Sequence, residues 1–280
     1  MHRPYSIEVL DHPGLTLNRD EATKLQNSLC RLGRLCLSRL PKYQVFDKAS
    51  PTALDDKVIV VARYEDEVIA FLSAIWLPII ALDRPLLHSG LTVIHPAHRG
   101  SGISLDLYAH LCLHLITKHP EGFWTSTLAA VISSLVNVSI YTTQVFPSPG
   151  WSSRHPTGHP SAHHLAMARE ISANHRDKML ISPSAVFDED SFVFRGSNDS
   201  EQGEAFRKDV DDQLYWHRDR EASAFFRKLL RPDTGDEVLQ ISFLDPKYLA
   251  KHMKSQRFAE KYSDRAAKVF PLCIEHDASL

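Results

Sequence analysis

The run Arg99-Gly100-Ser101-Gly102-Ile103-Ser104 holds the residue types that bind phosphate. It follows an extended apolar segment ending at Ile94. It precedes a segment in which Ile103, Leu107, Leu111 and Leu115 recur every four residues. The first N–H groups of a helix have no partner within it, and the helix dipole favours negative charge there. Glycine has no Cβ, so Gly100 and Gly102 let a bulky diphosphate come close to the backbone. No Gly-Lys-Ser/Thr is present, which excludes a P-loop. A hairpin pattern, not a βαβ unit, precedes the turn and disfavours a Rossmann site. The competing assignment is a strand-to-helix turn whose glycines serve packing alone.

A second cluster, His155, His159, His163 and His164, invites a metal. No Cys, Asp or Glu stands beside it at ligand spacing and the segment is rich in Pro, so the expectation is no metal and a loop or lid over Trp151–His164. The four cysteines, Cys30, Cys36, Cys112 and Cys273, form no CxxC pair and read as reduced, buried thiols of a cytosolic protein.

The elements that must position the glycine turn are legible from their periods. Tyr5–Leu10 reads as a short strand. Asn18 and Glu21 have capping-box spacing ahead of Leu25, Leu29, Leu32, Cys36 and Leu40, which predicts an amphipathic helix ending at Pro41. Residues 42–56 read as loop. Lys57–Tyr64 and Val68–Trp76, around Glu65-Asp66-Glu67, predict a largely buried hairpin. Leu86–Ile94 follows as a third strand, then the glycine turn and its helix, a strand over Phe123–Val131 and a short helix over Ser133–Tyr141. Beyond residue 150 the pattern predicts a helix over Ala162–Ala173, a strand within Ala185–Arg195, and an exposed polar stretch over Gly196–Gly203. A long helix over Glu204–Leu230, a strand over Glu237–Phe243 and a polar helix over Pro246–Val269 complete it.

At 280 residues with 43% hydrophobic and 24% charged side chains, the chain is long and apolar enough for a real core. A net charge of −2 supplies no basic field for nucleic acid or an anionic membrane. The most apolar stretch, Ala70–Leu82, is interrupted by Pro78 and too short to span a bilayer, and no signal-peptide h-region is read at the N-terminus. The expectation is a cytoplasmic protein.

The segment Ile94-His95-Pro96 through Arg99-Gly100-Ser101-Gly102-Ile103-Ser104 resembles motif A of the GNAT superfamily of N-acetyltransferases. That signature is [Arg/Gln]-x-x-Gly-x-[Gly/Ala] after a strand ending in Val-x-Pro; here Ser104 stands at the last position. The family's element order also matches residues 5–141. The resemblance implies an α/β GNAT fold, with a central mixed, mainly antiparallel sheet flanked by helices. It covers roughly the first half of the chain and places an acetyl-CoA-binding core at residues 1–150. Residues 151–280 match no motif and are expected to be a C-terminal elaboration that completes the sheet and the acceptor site, or to form one continuous domain with the core.

In such proteins the turn holds the CoA diphosphate and the preceding strand pairs with the pantetheine arm. The implied cofactor-binding residues are Val93, Ile94, Arg99, Gly100, Ser101, Gly102, Ile103 and Ser104, with Asn137. The family's frequent base, eleven positions before the Arg, falls on His88; Asp83 and His95 are alternatives, and His98 reads as a solvent-facing turn residue. Its thiolate-protonating tyrosine falls on Tyr141, although the usual Asn-x-x-Ala-x-x-x-Tyr run is broken: Ser134 holds the Asn position and Asn137 the Ala position. The implied activity is direct transfer of an acetyl group from acetyl-CoA to an amine of a small-molecule acceptor, with a homodimer left open. The alternatives are O-acyl transfer or acyl-CoA decarboxylation on the same fold, or a non-catalytic CoA-binding or interaction module.

Overall fold

The structure is a computed structural model that describes residues 5–155 and 158–254. The outer part of the helix expected over Pro246–Val269, and Cys273, lie outside the described residues. The chain divides into two compact units, Met1–Trp76 with His88–Leu115, and Leu77–Leu87 with Ile116–Leu280.

The first unit carries β1 (Ser6–Asp11), α1 (Pro13–Thr16), α2 (Arg19–Cys36), β2 (Lys57–Tyr64), β3 (Glu67–Leu77), β4 (Leu86–Ile94) and the start of α3 (Ile103–Lys118). Its strands lie in the order β1-β2-β3-β4. Strands β1 and β2 are antiparallel, with Ser6 opposite Arg63 and Asp11 opposite Val58. The β2–β3 hairpin turns on Glu65 and Asp66, both at positive φ as a two-residue turn of matching twist requires. Val58 through Ala62 are fully buried, which is why this strand reads as a continuous apolar run, β-branched from Val58 to Val61. The capping box forms as expected: Asn18 Oδ1 accepts from the Asp20 and Glu21 N–H groups at 3.0 Å, and Glu21 Oε2 accepts from the Asn18 N–H at 3.0 Å. Such a cap contributes about 1 kcal/mol. The helix ends at Cys36, short of the expected Pro41, where the Leu37 N–H bonds to the Gly33 carbonyl.

The second unit carries β5 (Phe123–Ala129), α4 (Ile132–Tyr141), β6 (Thr143–Phe146), α5 (Pro149–Arg154), α6 (Ala162–Asn174), β7 (Val186–Asp188), β8 (Val193–Arg195), α7 (Arg220–Leu229), β9 (Glu237–Leu244) and α8 (Pro246–Lys254). Its strands run β5-β9-β8-β7, with β6 also on β9, and every described pair is antiparallel. Residues beyond 150 therefore supply strands that pair with β5. Ile132, Leu135 and Val136 of α4 pack with Val193, Val238, Phe226 and Leu230 into one core.

Several expectations in this unit are corrected. Glu204–Leu230 is not one helix: it holds 3₁₀ turns at Gly203–Phe206 and Gln213–Tyr215, then α7. The reason is local. Asp209, Asp212 and Asp219 accept from the Asp211, Leu214 and Ala222 N–H groups at 2.9, 2.9 and 3.0 Å, offering the backbone an alternative to a continuous helix. Gly196–Gly203 is not an exposed stretch, since Ser197 and Asn198 are buried, with Ser197 Oγ donating to Glu237 Oε2 at 2.7 Å. Ala185–Arg195 is a hairpin, and Trp151–His164 is not all loop. It carries most of α5, capped by Ser148, and the start of α6, capped by Ser161.

Candidate active site

The glycine turn is built from the end of β4 outward. His95 continues the β4 pairing through its N–H to the Ile69 carbonyl at 2.8 Å, and Pro96–His98 form a single 3₁₀ turn. His95 Nδ1 accepts from the Ala97 N–H at 3.2 Å, so this ring serves as a cap. Ser101 Oγ donates to the His98 carbonyl at 2.6 Å and ties the loop to the turn before it. Gly100 and Gly102 have φ of +73° and +83°, and nothing lies within 4 Å of where a Cβ would stand on either. Glycine is thus required at both by conformation and not by a crowding neighbour. The open space beside them, at the first turn of α3, is what a close-approaching diphosphate needs.

The other turn residues divide by burial. Ile103 and Val93 are buried and fix the turn to the core, while Arg99, Gly100, Gly102 and Ser104 are exposed and Ser101 and Ile94 half-buried. Cys36 at the end of α2 reaches this region, its thiol donating to the Ile94 carbonyl at 3.3 Å. Burial pushes the Cys36 thiol pKa up, and the Arg99 guanidinium opposes that rise.

His88 on β4 is 1% exposed. Its Nε2 stands 3.5 Å from Tyr43 Oη, a long contact. Tyr43 Oη accepts from Gln44 Nε2 at 3.1 Å, and Gln44 Oε1 accepts from Ser73 Oγ at 2.6 Å. This chain of buried polar groups was not anticipated, because residues 42–56 read as loop. Two signals for it existed in the sequence: the aromatic–amide pair Tyr43-Gln44 in a polar segment, and Gly90, an isolated glycine inside a strand, which often marks close approach by another chain segment. Asp83 is exposed in the β3–β4 loop, and His98 is half-buried with its ring 5.6 Å from that of His95.

In the second unit, Tyr141 is the last residue of α4 and half-buried. Burial raises its hydroxyl pKa, with Arg218 acting against the rise, so the group remains a proton donor at neutral pH. Asn137 is exposed on the same helix. The histidines of residues 155–164 enter an aromatic cluster: His155 stacks on Trp151 at 3.7 Å, and the ring centroids of His163 and His164 lie 5.1 and 5.4 Å from Trp124. His164 Nε2 donates to the Gln144 carbonyl at 2.7 Å, leaving Nδ1 to accept from Ser161 Oγ at 2.6 Å. Among the described residues no three His, Cys, Asp or Glu side chains gather as metal ligands, and no helix is long and apolar enough to cross a membrane.

No protein-family model matches the chain, and no curated protein matches it. Solved structures similar to it include acetyltransferases. One is a ribosomal-protein-alanine N-acetyltransferase from Brucella melitensis biovar Abortus 2308, at 19% identity over 39% of this chain and 70% of that one, TM-score 0.28. Another is an aminoglycoside acetyltransferase from an uncultured soil metagenomic sample, solved with sisomicin, at 17% identity over 38% of this chain and 66% of that one, TM-score 0.27. A third is a tandem GNAT protein from the clavulanic acid biosynthesis pathway, at 20% identity over 45% of this chain and 37% of that one, TM-score 0.31.

Proposed function

We propose that this chain is an acyl-CoA-dependent N-acetyltransferase that moves an acetyl group directly from acetyl-CoA to an amine of a small-molecule acceptor. The observation that carries the reading is the open glycine turn. Two left-handed glycines with free space beside them lie between the end of a strand and the first turn of a helix. The backbone N–H groups of Gly100 through Ser104 would hold the diphosphate, helped by the dipole of α3. The edge of β4 at Val93 and Ile94 would run along the pantetheine arm.

Direct transfer needs the acceptor ammonium to lose a proton before it attacks the thioester carbonyl. His88 is assigned as the group that takes it, because an imidazole accepts a proton near neutral pH. The departing CoA sulfur needs a proton in return. Tyr141 is assigned as its donor, and the raised hydroxyl pKa keeps the group protonated at neutral pH and so able to hydrogen-bond to the departing sulfur. A net charge of −2 favours a small amine over a strongly basic polypeptide as acceptor.

The test is calorimetric titration with acetyl-CoA on wild type and Ser104→Glu. Ser104 is exposed in the first turn of α3, where a carboxylate favours the helix and so spares the fold. It would, however, repel a diphosphate. Binding to wild type that is lost in a Ser104→Glu variant of unchanged melting temperature supports the reading. Wild type that is folded and binds no acetyl-CoA removes it.

A further inference from the structure

His88 is 1% exposed and Tyr43, the group at its Nε2, is 7% exposed, so of the two the tyrosine is the one through which a proton would reach the imidazole. Three features of the first unit hold the Tyr43 hydroxyl there. Gln44, next to it, sits in the left-handed region at φ +47°, an unfavourable place for a non-glycine residue. That backbone turns the amide inward, where Ser73 Oγ donates to its Oε1 at 2.6 Å and its Nε2 donates to Tyr43 Oη at 3.1 Å. Gly90 on β4 clears the space: a Cβ there would stand 1.9 Å from Gln44 Nε2 and 2.9 Å from Tyr43 Oη. Ser73, Gln44, Tyr43 and His88 are all buried, so each hydrogen bond is made in a medium where misdirecting it is costly.

The network has a direction. The Gln44 amide N–H points at Tyr43 Oη, which therefore acts as acceptor on that side and has its own proton to present toward His88 Nε2. We infer that Tyr43, aligned by Gln44 and Ser73, is a positioning residue that holds the neutral His88 ring with its proton on Nδ1 and its basic lone pair on Nε2. This rests on the reading of His88 as the base. On that reading the acceptor ammonium proton passes to Tyr43 Oη as the tyrosine's proton passes to Nε2. The products of the step are a neutral amine, an unchanged tyrosine hydroxyl and an imidazolium, so proton and charge are conserved.

Ring ¹H–¹⁵N correlation spectra of the full chain, recorded near neutral pH with His88 assigned by the signals lost in His88→Gln, test this directly. Wild type should show His88 protonated at Nδ1, and Tyr43→Phe should convert it to a tautomer mixture while the melting temperature stays close to wild type. Gly90→Ala, which displaces Gln44 and keeps the tyrosine, should give the same spectral change if Tyr43→Phe proves poorly folded. His88 protonated at Nε2 in wild type, or a ring unaltered in the folded variants, overturns the inference. Thiol release from acetyl-CoA with a panel of simple amines, run in parallel, separates this from the transferase reading. Wild type with the expected ring signals and no acetyl transfer would defeat that reading and leave the positioning of His88 by Tyr43 in place.

Discussion

Gly90 and Gln44 compete for one space: a Cβ on the glycine would lie 1.9 Å from the amide nitrogen and 2.7 Å from Gln44 Cδ. Gly90→Ala should therefore force the amide to withdraw and break its bonds to Ser73 and Tyr43, at a cost of about 1–3 kcal/mol. Adding Gln44→Gly removes the obstacle and suits the left-handed backbone, so the double variant should be no less stable than Gly90→Ala alone. Urea unfolding of the two variants decides it; a Gly90→Ala protein as stable as wild type would contradict the packing.

His164 should make the fold sensitive to mild acid. Burial pushes its pKa down to about 4, with a smaller opposing effect from its bond to the Gln144 carbonyl. The unfolded chain takes up this proton near pH 6.5 and the folded chain only near 4. The stability contribution is thus complete above about pH 6.5 and declines as pH falls toward 4, by about 3 kcal/mol in all. Unfolding free energies measured between pH 7.5 and 4.5 should fall accordingly, and His164→Gln should flatten that slope.

Asp236 is the buried anchor of the β8–β9 turn region. Its carboxylate accepts from Arg231 Nε and Nη2 at 2.9 Å each, from the Gly196 N–H at 2.9 Å and from Arg195 Nη1 at 3.0 Å. Burial works to raise its pKa, but the bonds from Arg231, Gly196, Arg195 and Thr234 together outweigh it and hold the group well below the usual carboxylate range. Asp236→Ala should cost about 1–3 kcal/mol, because it leaves the Gly196 N–H and the Arg231 guanidinium without their acceptor while Arg195 keeps Asp188 at 2.9 Å. The corresponding acid sensitivity begins only below the ordinary carboxylate pKa of about 4, separate from the His164 range. Denaturant unfolding at neutral pH is the check.

Tyr141→Phe tests the assigned proton donor. On the proposed chemistry it should lower kcat by about 10²-fold while leaving KM for acetyl-CoA unchanged, since the hydroxyl acts on the departing thiolate and not on binding. Equal kcat in the two proteins, measured by thiol release, would reassign Tyr141 to packing.

The first 141 residues were the readable part of the chain because their signals are local. The Asn18–Glu21 cap, the β-branched run Val58–Val61, the Glu65-Asp66 turn and the four-residue recurrence from Ile103 each declare an element without knowledge of its neighbours. The glycine turn belongs to the same class, since its conformation follows from Gly100 and Gly102 themselves. What could not be read depends on distant partners. Tyr43 and Gln44 are buried by Ser73, His88 and Gly90, which are far from them in sequence. Ser197 and Asn198 look like exposed loop residues until Glu237 and Gly235 are brought against them. Between Glu204 and Leu230 the composition suits a helix, yet three aspartates claim the backbone N–H groups first.

The antiparallel pairing of β5 with β9 sets a timetable for synthesis. Thr125 and Ser242, joined at 2.8 Å through their hydroxyls, are 117 residues apart. At roughly 5–20 residues per second on the ribosome, β5 emerges about 6–23 seconds before the strand that covers it. The β1–β2–β3 strands, by contrast, have their partners within the first 77 residues. The nascent second unit thus carries an unpaired strand edge at Phe123–Ala129 through most of its translation. Truncations that stop before residue 237 are the ones expected to seek chaperones or aggregate.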